Sequence, residues 1–461
     1  DIEQLTPKVL KAHDLQVKLS RKLVNFGFDS FLGKLLRTII YHKEGSTMFK
    51  AWRAFLSIRQ KHLGNTFFVV DNALVHTDHA HVKQLMQVEP QLRGNDIGIL
   101  KVNSPSYMLN YPVSLGLNGE AHTNLRILLQ QALPDPFEAA ADLDHSVDRF
   151  LSAAAKRGNL HIGKDLPRFM IKILHQLVFD LSLSEADVSA SRAYVAGIPL
   201  STLPSFVSRF LLASKTGPAI KYRKQLVARY QTTPKWPSYA EKGEQVGLSP
   251  DQIANGLFDM IHIAGTAGTS ALMGSVIGLL CLDESLREKT TEEANRVWSG
   301  TQPLSEESLR QASVLHTAIL ETARLYPPVR FVSQLSTAAG EIDIGGQKCP
   351  FHKGTRLLGS IFTANHDGNR YEEPETFSLE RDFSDLLSWN GGSRERECPG
   401  RALSIELIKV VCMHLLKRYQ WERFTEVAWD FGKVSAFTPN ELELIGFAAI
   451  GFAAIDPPQG E

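Results

Sequence analysis

The chain has 461 residues, 43% of them hydrophobic and 22% charged, with 50 basic residues against 50 acidic. These values describe a globular chain able to bury a substantial core, and they exclude a disordered or fibrous one. Balanced charge gives no general attraction to nucleic acid or to an anionic membrane surface. Cys281, Cys349, Cys398 and Cys412 are too few and too scattered for a disulfide framework, and no Cys/His spacing suggests zinc.

The chain opens "DIEQLTPKVLKAHDLQ", which is neither a signal peptide nor a membrane span. It lacks an initiator Met, so an anchor or targeting segment upstream is compatible with this start and localisation stays unassigned. A first strand is predicted at "NTFFVV", Asn65–Val70. Apolar residues then recur at three- and four-residue spacing in "EAHTNLRILLQQAL", "LPRFMIKILHQLVFDLSL", "PDQIANGLFDMIHI", "ASVLHTAILETARL" and "RALSIELIKVVCMHLLKRY", the period of amphipathic helices. Ser249, Pro250 and Gln252 supply an N-cap, a first-turn proline and a capping-box partner. Two further strands are predicted at "EIDIGG" and "TRLLGSIF", after the "LYPPVR" break. The layout is mainly α with a small β module at about 40–75 and 330–365, in a single domain over 1–461. It lacks the strand–helix alternation of a doubly wound sheet. Near the C-terminus "IGFAAIGFAAI", Ile445–Ile455, repeats five residues once, as an apolar hairpin or an accident of duplication.

Three separated stretches carry the chemistry. "ETAR" places Glu321 and Arg324 at i and i+3 on one helix face, where they can pair, and Pro327 and Pro328 stop that helix. "PETFSLERDF" is irregular and offers Arg381 to the same glutamate. "SWNGGSRERECPGRALSIEL" sets Cys398 at a Gly-rich turn entering a helix, where backbone N–H groups and the helix dipole favour a thiolate. Cys281, Cys349 and Cys412 lie in a helix, a sheet loop and an apolar helix face and read as small packed hydrophobes.

In this order and spacing the three stretches resemble the cytochrome P-450 family of haem-thiolate proteins, from about Gly119 to the C-terminus. The resemblance implies the cytochrome P-450 fold, with haem b between a distal helix and the cysteine loop. It implies Cys398 as the axial ligand and Glu321, Arg324 and Arg381 as the structural triad. Thiolate ligation pushes electron density onto the iron and favours O–O cleavage. His122 and Arg126, at i and i+4 on one helix, resemble the family's propionate-binding pair, and Arg396 matches the basic position of its ligand loop. Gly391, Pro399 and Gly400 belong to that loop. Gln334 stands where many members have a further basic residue, with Arg330 as a nearby candidate.

Two departures matter. Members that activate dioxygen usually carry Ala/Gly-Gly-x-Asp/Glu-Thr on the distal helix, an acid and an alcohol that relay protons. Here Ala264, Gly265 and Thr266 begin the motif, but Ala267 and Gly268 replace the acid and the threonine. Thr269 and Ser270 follow one and two residues late, and no carboxylate lies between Asp259 and Asp283. Ala264, Gly265, Thr266 and Gly268 would line the distal face, with Thr266 or Thr269 as the alcohol of a monooxygenase. His262 either substitutes for the missing acid or packs against a neighbouring helix. The ligand loop also reads about two residues longer, with Gly391 at the usual aromatic position and Trp389 nine residues before Cys398.

Together these departures are similar to the branch that rearranges or dehydrates fatty-acid hydroperoxides, although the Phe-Asn-x-x-Gly-Gly signature of its plant members is absent. The favoured expectation is therefore a hydroperoxide isomerase or dehydrase that needs no redox partner. It would act on a lipid-like apolar molecule, with peripheral membrane contact in reach and no nucleic acid involved. The alternative is a monooxygenase or peroxygenase hydroxylating an apolar substrate, and a haem sensor without turnover is a minor third reading. Val329 and Phe331 would line the substrate pocket, and "LSTLPSFVSRFLLASKTGP" would shape the channel.

Overall fold

The computed structural model describes residues 66–69, 73–87, 117, 119–197, 213–344, 347–393, 395–429 and 438–450. Strands β1 (Thr66–Val69) and β2 (Ala73–His76) lead to helix α1 (His79–Gln87). Helices α2 (Gly119–Ala132), α3 (Pro136–Asp142) and α4 (Asp144–Arg157) precede β3 (Asn159–His161). Then come α5 (Ile162–Phe179), α6 (Glu185–Gly197), α7 (Ala213–Tyr230) and α8 (Trp236–Gln245). The long helix α9 (Pro250–Leu282) contains a π-helical stretch, Met260–Gly265. It is followed by α10 (Glu284–Val297), α11 (Glu306–Gln311) and α12 (Ser313–Leu325). Strands β4 (Phe331–Leu335), β5 (Gly340–Ile344), β6 (Gln347–Phe351) and β7 (Arg356–Ser360) end in the short α13 (Ile361–Ala364). Helix α14 (Arg401–Arg418) and strands β8 (Tyr419–Gln420), β9 (Arg423–Phe424), β10 (Glu443–Ile445) and β11 (Ala448–Ala449) complete the order.

The start of α9 forms as its residues dictate. Ser249 Oγ accepts from Gln252 N–H at 3.3 Å, and Gln252 Oε1 accepts from Ser249 N–H at 2.8 Å. By length and composition α9 is apolar enough to cross a membrane, but 72% of its most apolar window is buried inside the protein. It is a core helix. It packs on α2, α7 and α8 through its first half and on α5, α10, α12 and α14 through its second. Phe258, Ile261, Leu272, Met273, Val276 and Ile277 are all within 1% of full burial. Each such side chain contributes about 1.5–3 kcal/mol relative to exposure. Helix α14 is equally enclosed, with every residue from Leu403 to Leu416 buried.

A four-stranded sheet, ordered β1-β2-β7-β4, joins residues 66–76 to 331–360, with β2 and β7 parallel and the other pairs antiparallel. Residues 40–65 of the expected β module lie outside the described residues. Three differences from expectation appear. Ile361 and Phe362 leave the strand and turn into α13, which Ser360 Oγ caps by accepting from Thr363 N–H. Cys349 sits within β6 rather than in a loop. The first half of the IGFAA repeat does not fold on itself: β10 pairs with β3 and β9, Gly446 turns at φ 66°, and β11 pairs with β8. Its second half lies outside the described residues, as does most of "LSTLPSFVSRFLLASKTGP".

Candidate active site

Glu321 and Arg324 lie one turn apart on α12 and are both fully buried, so each charge needs a complete set of partners. Arg324 binds the carboxylate in two-pronged fashion, Nε to Oε2 at 2.7 Å and Nη2 to Oε1 at 2.8 Å. Arg381 Nε donates to Glu321 Oε1 at 2.9 Å, and Ser378 N–H donates to the same oxygen at 3.1 Å. The remaining guanidinium N–H groups hold main-chain carbonyls: Arg324 those of Asn365 and Pro374, Arg381 those of Glu372, Glu373 and Thr376. The irregular segment 365–381 is thus folded around two arginines. Ser388 extends the set by donating to the Ala323 carbonyl at 2.6 Å and accepting from Asn365 Nδ2 at 3.1 Å. This link fixes the start of the cysteine loop to α12. Nothing local in the sequence marked Ser388, because both partners are distant in the chain.

The loop itself turns through two consecutive left-handed residues, Trp389 (φ 58°) and Asn390 (φ 60°). Cys398 N–H donates to the Trp389 carbonyl at 2.7 Å, and Asn390 Nδ2 donates to the Arg396 carbonyl at 2.8 Å. The Cys398 side chain is partly exposed, whereas Cys281 and Cys412 are buried. Burial nevertheless pushes the Cys398 thiol up, against the Gly400 N–H and the charges of Arg126 and Arg401, which pull it down. The Gly400 N–H and the two arginines favour the thiolate, as the helix-start position implied, but by themselves do not offset burial. A coordinated metal would, since it deprotonates the thiol outright.

Arg126, on α2, is close enough to influence both Cys398 and Arg396, and it forms no ion pair among the described residues. Arg396 is half-buried and donates to the Leu117 carbonyl at 2.8 Å. His122 lies one turn before Arg126 on the same helix and is half-buried. Pro399 is exposed, and Gly391 is held by its own turn, where a Cβ would run into the Leu386 carbonyl. Gln334 is committed elsewhere, donating to the Leu85 carbonyl at 2.7 Å. Arg330 is buried just before β4, where its carbonyl accepts from Ile361 N–H.

The distal helix corrects several expectations. His262 is fully buried: Nδ1 pairs with the Phe258 carbonyl at 2.9 Å and Nε2 with Ser191 Oγ at 3.0 Å. It stacks on Phe258 and faces α5 and α6, so it cannot stand in for the missing acid. Thr266 Oγ donates to the Ile261 carbonyl at 2.8 Å, closing the π turn. Gly265 faces α5, where a Cβ would meet Leu174 at 2.8 Å. Thr269 is buried one turn further along that stripe, and Ser270 Oγ donates to the Thr266 carbonyl at 2.6 Å. What stays open is Ala264, which is exposed, and Gly268, where a Cβ would meet nothing within 4 Å. Ala267 beside them is half-buried. The open face carries no hydroxyl, acid or imidazole. Val329 is 57% exposed after the double proline, and Phe331 is half-buried in β4.

Residues 223–431, a little under half of the chain, match the family model of cytochrome P450. The fold is similar to that of cyanobacterial CYP120A1 with retinoic acid bound, with a TM-score of 0.71 and 18% identity over 86% of this chain and 94% of that one. The chain has the cytochrome P450 fold. The chain is also similar to a germacrene A hydroxylase of Barnadesia spinosa, 27% identical over 39% of this chain and 37% of that protein. Against the amorpha-4,11-diene 12-monooxygenase of Artemisia annua it is 26% identical over 40% and 38%. Against cytochrome P450 81D1 of Arabidopsis thaliana it is 31% identical over 39% and 36%. The matched stretch spans well under half the length of these relatives. The cofactor of the family is a haem held by a cysteine thiolate. Among the described residues a partly exposed thiol, an uncompensated arginine and a helix face of small residues fit that group. The first two relatives are named for hydroxylation and monooxygenation, and none of the three is named for hydroperoxide chemistry.

Proposed function

We propose that this protein is a haem-thiolate oxygenase that hydroxylates an apolar substrate with electrons from a redox partner. Cys398 would hold the iron, Arg126 and Arg396 the propionates with His122 beside them, and the Glu321–Arg324–Arg381 cluster the loop that carries the sulfur. The observation that carries this reading is the convergence of the Cys398 sulfur and the Arg126 charge, in a chain whose relatives include a hydroxylase and a monooxygenase. The bound haem supplies activation of an O–O bond. The protein's part is to orient and exclude. The Gly400 N–H tempers the charge on the sulfur, the triad immobilises the loop, and Ala264 and Gly268 leave room for a bulky apolar molecule.

A second reading, turnover of an organic hydroperoxide without external electrons, is favoured by one feature: the open face of α9 has no proton-relaying side chain. The two separate in one experiment. Purified holoprotein is given an apolar substrate with NADPH and a reductase, and in parallel a fatty-acid hydroperoxide with neither. NADPH-dependent hydroxylation is expected. Hydroperoxide consumption with no NADPH-dependent product would replace the first reading by the second.

A further inference from the structure

Trp389 is the residue of the cysteine loop whose conformation is hardest to explain locally. Its φ of 58° and ψ of 20° place a bulky side chain in the left-handed region, which asparagine tolerates and tryptophan does not. Asn390 beside it therefore needs no special account, whereas Trp389 does. Glycine would adopt this backbone without strain. Strain of this kind persists only where the surroundings over-determine it, and it concentrates at functional sites.

Here the surroundings can be named. The indole N–H donates to Ser404 Oγ at 3.2 Å, on the first turn of α14. The Arg401 guanidinium lies 5.5 Å from the ring centroid and is itself held by Glu397 at 2.6 Å. The reward of the strained peptide is the direction of its carbonyl, which receives the Cys398 N–H at 2.7 Å. Asn390 then holds the Arg396 carbonyl, so the residue pair at the loop's start grips its end on both sides of Glu397.

We infer that Trp389 is a positioning residue for Cys398: its side chain, clamped on α14 by Ser404 and Arg401, holds the left-handed peptide that aims the sulfur. The inference rests on the reading of Cys398 as the haem ligand. It extends that reading by assigning the aim of the sulfur to a side chain nine residues away.

The test compares holoprotein carrying Trp389→Gly, Trp389→Phe and Ser404→Ala with the parent, by ferrous–carbon monoxide spectrum, reduction potential and thermal melt. Trp389→Gly keeps the backbone accessible and removes the clamp. Its ratio of thiolate-type to thiol-type Soret band is expected to fall about tenfold. Trp389→Phe loses the indole hydrogen bond and part of the ring facing Arg401. Ser404→Ala loses that bond and the one its Oγ donates to the Arg401 carbonyl at 2.8 Å. Each is expected to lower that ratio about twofold to threefold. Should Trp389→Gly fail to fold, these two variants decide. Unchanged ratio and potential in them, or in a folded Trp389→Gly, would overturn the inference even if the melting temperature fell. A parent without a thiolate-type band would overturn Cys398 ligation itself, a different failure seen before any variant is made.

Discussion

One carboxylate, Glu321, receives four hydrogen bonds from Arg324, Arg381 and Ser378 with no solvent contact. Removing one member of such a buried set leaves the others charged and unpaired, which costs about 3–5 kcal/mol. Glu321→Gln is expected to lower unfolding free energy by that order in urea titration and to reduce haem content in the same preparation. The i, i+3 spacing made the pair legible in the sequence, and the ERDF stretch made Arg381 legible. The carbonyls they hold were not, since carbonyl direction is set by the irregular fold of 365–381.

A second residue-scale test concerns pH. Asp259 is buried beside Arg223, and burial outweighs the arginine's pull, raising its carboxyl from 3.8 to about 6. The folded state therefore binds the proton more tightly than the unfolded chain does. The stability this group contributes is full below pH 3.8 and is lost as pH rises through about 6. Melting temperatures of the parent should show that loss between these values, and Asp259→Asn should lack it. Equal pH slopes in both proteins would refute the assignment.

At the scale of the element, α9 explains why the distal residues were misplaced from sequence. Residue spacing assigns faces only while the helix keeps one period. The π turn at Met260–Gly265 inserts a residue, and Thr266 closes it through the Ile261 carbonyl. Counting through it put Thr266 and Thr269 toward the open side, whereas both are buried. His262 takes the second of its two expected places, against the neighbouring helices. The strong 3.6-residue pattern did reveal α2, α5, α9, α12 and α14, because each buries a stripe or, for α9 and α14, nearly a whole surface.

Two glycines one turn apart test the face assignment. Gly265→Ala would press a methyl onto Leu174 and the Met260 carbonyl and is expected to cost about 1–3 kcal/mol. Gly268→Ala meets open space and should be neutral or stabilising by up to about 1 kcal/mol. It should nevertheless shift substrate-induced spectral changes, because it narrows the open face. Equal stability losses in the two variants would contradict the geometry.

At the scale of the whole molecule, the site depends on chain segments that meet only on folding. The Ser388 link joins the cysteine loop to α12, and Arg126 reaches that loop from α2. β2 pairs in parallel with β7 across nearly three hundred residues. The mainly α fold with a small sheet was readable because helices announce themselves locally. The strands β3, β8, β9, β10 and β11 were not, being two or three residues long and made only by distant partners. The cysteine loop was recognisable from its glycines and Cys398, but its Trp389 clamp was hidden, since a left-handed tryptophan has no sequence signature.

The most direct measurement is the reduced carbon monoxide difference spectrum of the parent and of Cys398→His, each reconstituted with haem. The parent is expected to show the Soret band of thiolate ligation, and Cys398→His to bind haem with that band replaced by one of imidazole type. A thiolate-type band that survives the substitution, or its absence from a parent with full haem content, would contradict the assignment of Cys398 as the ligand.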